Sequence, residues 1–384
     1  MNWYSAVSKI MVIAALVFLF TGIPTLETHG QGKVIIDKIY FVDSADIFSL
    51  SSNLAAVQIV ELEEGNDSMR VTISLSPELD DYFLTDDFFD YVGFTRQIEE
   101  DIIVFNFFIE DAPAYWWKKF YSLKEKVKSE VFNLDFFVPG HFDVRIIEVN
   151  NGSLQTFNGF PSTTQIALNQ SVSNHYGDYW SLFFKTENSE VFIESATSLF
   201  LYPSHSQFNI FNFGRVQGYL DHSKANISKG RIIRLDLNYS TLAATYVDLF
   251  EESIIGDSKV YIFFANKVDV GVVDSELKLW HLRSEIDLGG YKSNIELRSI
   301  ARDLKKLKIE GKQIDAKIGG ICRNNVDYSL SGTNSEVHLM DQIFIFGEEE
   351  ELLNGNTGDS SIEHSTNLHL NLMESVIYLC PVID

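Results

Sequence analysis

Apolar and polar residues alternate along most of the chain. "AAVQIVEL" (55–62) and "MRVTISLS" (69–76) alternate early, and the pattern becomes regular after residue 231, as in "RIIRLDLN", "SELKLW", "SEIDLGG" and "STNLHLNL". A strand with this period of two buries one face and exposes the other to solvent, which is typical of antiparallel sheets. The almost wholly apolar "IIVFNFFI" (102–109) indicates a strand buried on both faces. The pattern predicts an all-β fold, mainly antiparallel, built as a sandwich or a large curved sheet.

The chain shows no clear internal repeat. No period of about 20 to 50 residues emerges, although "LDLNYS", "IDLGGYKS" and "LHLNLMES" resemble one another faintly. The 23 glycines are an ordinary number, which argues against a β-solenoid. The segment "NNGSLQTFNGFPSTT", near residues 150 to 165, has the composition of a linker. It predicts a β-rich domain at 31–160, followed by an antiparallel β domain at 161–384.

One segment, "APAYWWKKFYSLKEKVKSEVF" (112–132), departs from the alternating pattern. Its apolar residues, and one that follows it, recur at steps of three and four; they are Trp116, Phe120, Leu123, Val127, Val131 and Leu134. This spacing predicts one prominent amphipathic helix at about 112–134. "TLAATYVDLFEE" (241–252) is a further helix candidate.

The predicted helix admits two roles. Its segment carries five lysines against two glutamates, a net charge of +3. Trp116 and Trp117 stand directly before Lys118 and Lys119, and tryptophan beside lysine resembles an interfacial membrane segment. These four residues would then bind a membrane surface or another component of the cell envelope. Alternatively, the apolar stripe docks on the protein's own sheet while the lysines face acidic groups elsewhere on the surface.

The N-terminus indicates export. Residues 10–20, "IMVIAALVFLF", form an unbroken apolar run after Lys9, and polar residues with small side chains follow. This pattern predicts a signal peptide at 1–30, or an N-terminal membrane anchor if the segment is retained. The protein is therefore expected outside the cell or on its surface. Cys322 and Cys380 would pair in an oxidising compartment, or remain two buried thiols.

The charge of the chain excludes one class of partner. The formal net charge is −24, whereas a nucleic-acid-binding protein needs a basic face. The acidity fits a solvated extracellular surface or a surface that binds cations.

Two short segments contain candidate chemistry. "SNHYGDYW" (173–180) places His175, Asp178, Tyr179 and Trp180 together, which suits a glycan site, although a plain turn between strands has the same composition. Asp178 and His175 are the candidate catalytic residues. A glycosidase needs two carboxylates about 5 to 9 Å apart, and nothing selects the second among Asp143, Glu194 and Asp221.

The second segment, "PELDDYFLTDDFFDY" (77–91), is an acidic cluster without a basic residue. Its candidate metal ligands are Asp80, Asp81, Asp86, Asp87 and Asp90. Calcium takes six to eight oxygen ligands, but the spacing is not that of an EF-hand. The alternative is a solvated acidic turn. The sequence predicts no cofactor, with calcium alone left open.

Together these features favour an exported, non-enzymatic binding or structural protein of the cell surface or the extracellular space. Two alternatives stay open. The first is a lipid-binding protein with an apolar sheet face and a membrane-touching helix. The second is a secreted carbohydrate-active enzyme that uses Asp178. Whether the chain is an enzyme is undecided, and the absence of a recognisable catalytic motif favours a binding role.

Overall fold

The computed structural model describes most of the chain after residue 32. The described residues are 33–42, 47–62, 68–79, 88–99, 101–127, 130–140, 142–321, 325–339, 342–349, 351–357 and 365–380. The predicted signal peptide lies outside them. Cys322 and four of the five candidate metal ligands, Asp80, Asp81, Asp86 and Asp87, lie outside them as well.

In the described part of the chain, 25 strands form one sheet. The N-terminal strands are β1 (Val34–Phe41), β2 (Ile47–Asn53), β3 (Ala55–Leu62), β4 (Ser68–Leu75), β5 (Val92–Glu99), β6 (Ile102–Ile109), β7 (Phe132–Pro139), β8 (Asp143–Asn150), β9 (Ser153–Phe157) and β10 (Thr163–Asn169). The central strands are β11 (Val172–Glu187), β12 (Glu190–Ser204), β13 (Gln207–Asp221), β14 (Lys224–Asn238), β15 (Thr241–Gly256), β16 (Lys259–Val273), β17 (Glu276–Trp280), β18 (Leu282–Arg298) and β19 (Lys306–Ile318).

The C-terminal strands are β20 (Asn325–Thr333), β21 (Ser335–Leu339), β22 (Gln342–Phe346), β23 (Glu351–Asn356), β24 (Ser365–Met373) and β25 (Val376–Leu379). One α-helix, α1 (Ala114–Val127), and a 3-10 turn at Pro77–Leu79 complete the described elements.

The central strands are successive coils of one β-solenoid. Gln207 at the start of β13 pairs in parallel with Lys224, and Asp221 at the end of β13 pairs with Asn238. Only two residues separate Asp221 from Lys224. The 15 residues of β13 would span about 50 Å if straight. Yet Asp221, at its end, lies only three positions before Lys224, which pairs with Gln207 at its start. Each strand therefore closes a full turn around the core.

Each coil has two faces that meet at a corner. Face A holds the strands that follow the corner, in the order β1, β4, β7, β3, β9, the first halves of β11 to β16, β17, the ends of β18 and β19, β25, β21 and β22. Face B holds the strands that precede it, running from β5, β6, β2, β8 and β10 to β19, β24, β20 and β23.

A ladder of buried serines forms this corner. The serine ladder consists of Ser171, Ser189, Ser206, Ser223, Ser240, Ser258, Ser275 and Ser293. Each backbone N–H, from Ser171 to Ser275, donates to the Oγ of the next serine over 2.9 to 3.4 Å. Each Oγ donates to the carbonyl two residues earlier. The turning backbone thus keeps its buried polar groups satisfied.

The residue before each ladder serine turns the chain. These eight residues, all with φ between 45° and 50°, are Gln170, Asn188, His205, His222, Tyr239, Asp257, Asp274 and Lys292. None is glycine, although a left-handed conformation costs an ordinary residue about 1 to 2 kcal/mol. An ordinary glycine content therefore did not exclude a solenoid. The repeat of 17 or 18 residues is also shorter than the periods considered above.

The apolar halves of the strands fill the interior. Leu235, Leu288 and Leu370 are completely buried, as are most inward residues between them. At the N-terminal end, α1 covers the core, because Trp116 stacks on Phe88 with ring centroids 5.0 Å apart. The indole N–H of Trp116 donates to the Phe88 carbonyl over 2.8 Å.

The predicted all-β class, large curved sheet and single helix are confirmed within the described residues. The strand direction differs from the prediction, since most neighbouring strands are parallel. The alternating pattern did not reveal whether neighbouring strands are parallel or antiparallel. A strand in a solenoid coil buries one side and exposes the other to solvent, as a strand of an antiparallel sheet does. Helix α1 ends at Val127, and Leu134 lies in β7. Residues 241–252 form part of β15 rather than a helix. The domain boundary near 160 stays a prediction.

Candidate functional site

The segment 173–180 lies where β11 bends, and half of it belongs to the core. His175 is completely buried, and its Nδ1 lies 2.8 Å from the Thr156 hydroxyl. Thr156 also bonds the Tyr179 hydroxyl over 2.5 Å. Burial lowers the pKa of His175 to about 3 and raises that of Tyr179. The network holds the bend, and neither ring faces solvent.

Asp178 and Trp180 point outward from the same bend. Asp178 is exposed, and Trp180 keeps 62% of its surface exposed. Glu194 lies on the next coil and accepts a hydrogen bond from the Gly177 N–H over 2.8 Å. Of the three candidate second carboxylates, Glu194 is the neighbour, because Asp178 pairs with Ser195. The structure therefore separates the predicted pair: Asp178 faces the exterior, whereas His175 lies in the core.

A groove begins at Asp178 and crosses five coils. Its first row follows directly paired positions, Asp178, Ser195, Asn212, Lys229 and Tyr246. Paired strands lie about 4.8 Å apart, so the row spans about 19 Å. The groove encloses about 560 Å³. Its second row contains Thr197, Gly214, Arg231 and Asp248.

Two glycines of the groove occupy positions where no side chain fits. A Cβ at Gly214 would lie 2.5 Å from the Thr197 carbonyl oxygen. A Cβ at Gly230 would lie 1.8 Å from the Phe213 ring, which is buried beneath the groove. With Ser195, the two glycines contribute no long side chain to the lining of the groove.

Aromatic rings stand at both ends of the groove. Trp180 lies beside Thr197, because its neighbours Tyr179 and Ser181 pair with Ala196 and Ser198. At the other end, Tyr246 stacks on Phe264, with centroids 4.8 Å apart and planes 8° apart. The row of rings continues to the guanidinium of Arg283, 4.7 Å from the Phe264 ring centroid.

The charges of the groove are balanced. Lys229 and Arg231 are exposed on β14, in the middle of the groove. Asp178 and Asp248 stand at its two ends. They are separated by four coil steps of about 4.8 Å each, which is too far for the paired carboxylates of a glycosidase.

The sequence pointed to one end of this groove and missed the rest. The other groove residues lie far from residue 178 along the chain; they include Asn212, Lys229, Arg231, Tyr246 and Asp248. The spacing of 17 residues, repeated from Asp178 to Tyr246, was the available signal. It shows only when the chain is aligned on the serines of the corner.

The aromatic residues of α1 are divided between core and surface. Trp116 is buried and Trp117 is partly buried against the core. Lys118 is exposed, while the Nζ of Lys119 lies 5.2 Å from the centroid of the Phe88 ring. Helix α1 thus packs its apolar side on the protein's own core, as the docking hypothesis requires. Contact with a membrane or partner stays a prediction.

Metal and membrane features are limited in the described part of the chain. Asp90 is exposed beside Phe88 and Phe89, and no group of three or more His, Cys, Asp or Glu able to hold a metal occurs among the described residues. None of the described helices combines the length and apolar character needed to cross a bilayer. Cys380 is partly buried against the core, and its pairing with Cys322 stays a prediction.

Comparison with known proteins adds little. No protein-family model matches the chain, and no curated protein matches it. Solved structures similar to it include a "putative cell adhesion protein" of Clostridium sporogenes, 8% identical with a TM-score of 0.18, covering 90% of this chain and 99% of the other.

Two further similar structures come from Parabacteroides. A "putative adhesin" of Parabacteroides merdae is 10% identical, has a TM-score of 0.27 and covers 91% of this chain and 98% of its own. A "putative lipid binding protein" of Parabacteroides distasonis is 9% identical, has a TM-score of 0.24 and covers 92% and 98%. TM-scores this low carry no argument about the role of the chain.

Proposed function

We propose that the protein is an exported, non-enzymatic binding module that holds a glycan chain of the cell surface in the groove between Trp180 and Tyr246. The observation that carries this proposal is the arrangement of the groove. Exposed aromatic rings stand at both ends, and polar side chains line the space between them.

The chemistry of a sugar chain fits this arrangement. A sugar ring has an apolar face of C–H groups, which an aromatic ring covers, and a rim of hydroxyls that donate and accept hydrogen bonds. Asn212 offers both a donor and an acceptor, Lys229 and Arg231 donate, and Asp178 accepts. The span of about 19 Å, at about 4.8 Å per coil, suits an extended ligand better than a compact one.

Export supports the same function. The apolar N-terminal run at 10–20 is typical of a secretory signal, and surface glycans are encountered outside the cell. Fractionation of expressing cells would test this part separately. Recovery of the protein in the cytoplasm with residues 1–30 intact would contradict it.

Binding is tested by titrating the protein with a panel of neutral and uronate-containing oligosaccharides in a calorimeter. Trp180→Ala and Tyr246→Ala should each weaken binding about 3-fold to 10-fold, since an aromatic contact contributes about 0.5 to 1.5 kcal/mol. Tyr219→Ala is the matched control, because Tyr219 is exposed on β13 outside the groove. Equal loss in the control, or no binding by the wild type, would contradict the proposal.

The enzyme alternative is distinguished in the same samples. Each oligosaccharide that binds is incubated with the protein and analysed for shorter products. We expect the ligand to remain intact. Cleavage that is lost in Asp178→Asn would instead identify a carbohydrate-active enzyme.

A further inference from the structure

The two ends of the solenoid leave one strand edge each on face A. Among the described strands, β1 pairs only with β4, and β22 pairs only with β21. An unpaired edge presents a row of backbone N–H and C=O groups that can accept another strand. Strand β1 stands two strands beyond β7, whereas on face B only β5 extends beyond β6. Strand β1 is thus the foremost edge of the N-terminal end.

Both edges expose large apolar side chains. Phe41 is 86% exposed and Ile39 is also exposed on β1. On β22, Ile345 is 73% exposed and Ile343 is exposed beside it. Between them, Tyr40 and Phe344 turn toward the core. Exposed β-branched and aromatic residues on an edge strand favour pairing with another chain.

The charges beside the two edge strands are opposite. Four consecutive glutamates, residues 348–351, follow β22. On β1, Lys38 is exposed, and the carboxylate of Asp37 is already paired with Arg70. Opposite charges on two surfaces steer them together and disfavour contact between two equal ends.

We propose that the C-terminal end of one copy binds the N-terminal end of the next copy, by pairing of β22 with β1. The direction follows from the topology. Strand β1 is antiparallel to β4, which is antiparallel to β7, so β1 runs in the direction of the coils. Strand β22 runs against its coil. The two edges therefore pair antiparallel.

One register matches the faces of the two strands. It places Ile39 opposite Ile345 and Phe41 opposite Ile343 on the outer side, and Tyr40 opposite Phe344 on the inner side. Residues directly opposite in an antiparallel pair point to the same side, so apolar residues meet apolar residues throughout. Because the two bound surfaces differ, each added copy leaves the same ends open, and the assembly is a filament.

The first experiment measures self-association of the purified protein, as the cell produces it, by sedimentation velocity over a range of concentrations. The wild type should form oligomers that grow with concentration and weaken with added salt. Ile345→Asp and Phe41→Asp should each weaken association about tenfold or more, because each buries a carboxylate without a partner. A wild type that remains a monomer at every concentration would overturn the proposal.

Ile254→Asp is the matched control. Ile254 is 60% exposed on β15, a central strand whose edges are both paired. This variant should associate like the wild type. An equal loss in Ile254→Asp would show that any added charge on the surface disperses the protein, and would overturn the assignment to the ends.

A cross-linking experiment tests the register without depending on affinity. Phe41→Cys and Ile343→Cys are prepared as separate proteins, mixed and oxidised. The mixture should give a covalent dimer in at least about fivefold excess over either variant alone, because directly opposite residues have Cβ atoms about 4.5 to 5.5 Å apart. Equal yields from the mixture and from the single variants would contradict the pairing of β1 with β22.

Discussion

The backbone N–H of Ser206 donates a hydrogen bond to the Oγ of Ser223, 3.1 Å away and one coil further along the solenoid. The same Oγ donates to the carbonyl of Asp221. One small hydroxyl thus satisfies a donor on one coil and an acceptor on its own coil. Because this pattern recurs at each ladder serine, it keeps successive coils in register at the corner.

Ser223→Ala should destabilise the protein by about 1 to 3 kcal/mol, since it leaves the buried N–H of Ser206 without an acceptor. Chemical denaturation measures the change in the free energy of unfolding. Ser122→Ala is the control, because Ser122 is exposed on α1. If both variants unfold alike, the ladder contributes nothing measurable.

Trp116→Ala should cost about 3 to 5 kcal/mol of stability, because a large buried ring is removed together with its hydrogen bond to the carbonyl of Phe88. Chemical denaturation of the variant and the wild type measures this loss.

The membrane hypothesis makes a different prediction for Trp117. If α1 also binds membranes, the wild type should co-sediment with anionic vesicles and Trp117→Ala should not. Sedimentation of both proteins, or of neither, would exclude an interfacial role for Trp117.

His175 should make the protein less stable in acid. Burial lowers its pKa from 6.5 to about 3. Between these two pH values the imidazole is protonated in the unfolded chain and neutral in the folded chain. The stabilisation is complete above about pH 6.5 and is lost as the pH falls toward 3. Between pH 6.5 and pH 5 the loss is about 2 kcal/mol.

The His175→Gln variant isolates this contribution. Glu61 acts in the opposite sense, because burial raises its pKa to about 7 and its stabilisation is lost as the pH rises. The difference between wild type and variant should therefore be measured at several pH values, with exposed His281→Gln as the control. A difference that does not change with pH would contradict the prediction.

Cys322 and Cys380 are predicted to form a disulfide in the exported protein. A bridge between these two residues, which lie 58 positions apart, would contribute about 4 kcal/mol in the chain-entropy description. Reduction should then lower the stability of the wild type and leave Cys380→Ser unchanged. Alkylation of both thiols in the unreduced, unfolded protein would contradict the pairing.

Calcium is predicted to raise the melting temperature if the acidic segment binds it. Millimolar calcium would act through Asp80, Asp81, Asp86, Asp87 and Asp90. A variant with asparagine at all five positions should lose the response, and magnesium should not replace calcium, because it prefers a small octahedral site. An unchanged melting temperature with calcium and with chelator would exclude the site.

Much of the fold follows from local patterns. Alternation predicted strands because side chains on a strand point to opposite sides. The stripe from Trp116 to Val127 predicted a helix with one buried face, and these residues do face the core. The end of that helix was misplaced, because Val131 and Leu134 continue the helical spacing although the chain there pairs with β3 and β4.

The sequence by itself determined that the protein is rich in strands, carries an amphipathic helix and has a large negative net charge. The first two depend on the spacing of nearby residues and the third on composition, so none of them requires knowing which distant residues meet. The tertiary structure decided the direction of the strands, since an alternating pattern is the same in a parallel coil and an antiparallel sheet. It also decided which residues share a site. Asp178 and Tyr246 lie 68 positions apart along the chain, and only the coiling, with one turn for every 17 or 18 residues, brings them into one groove.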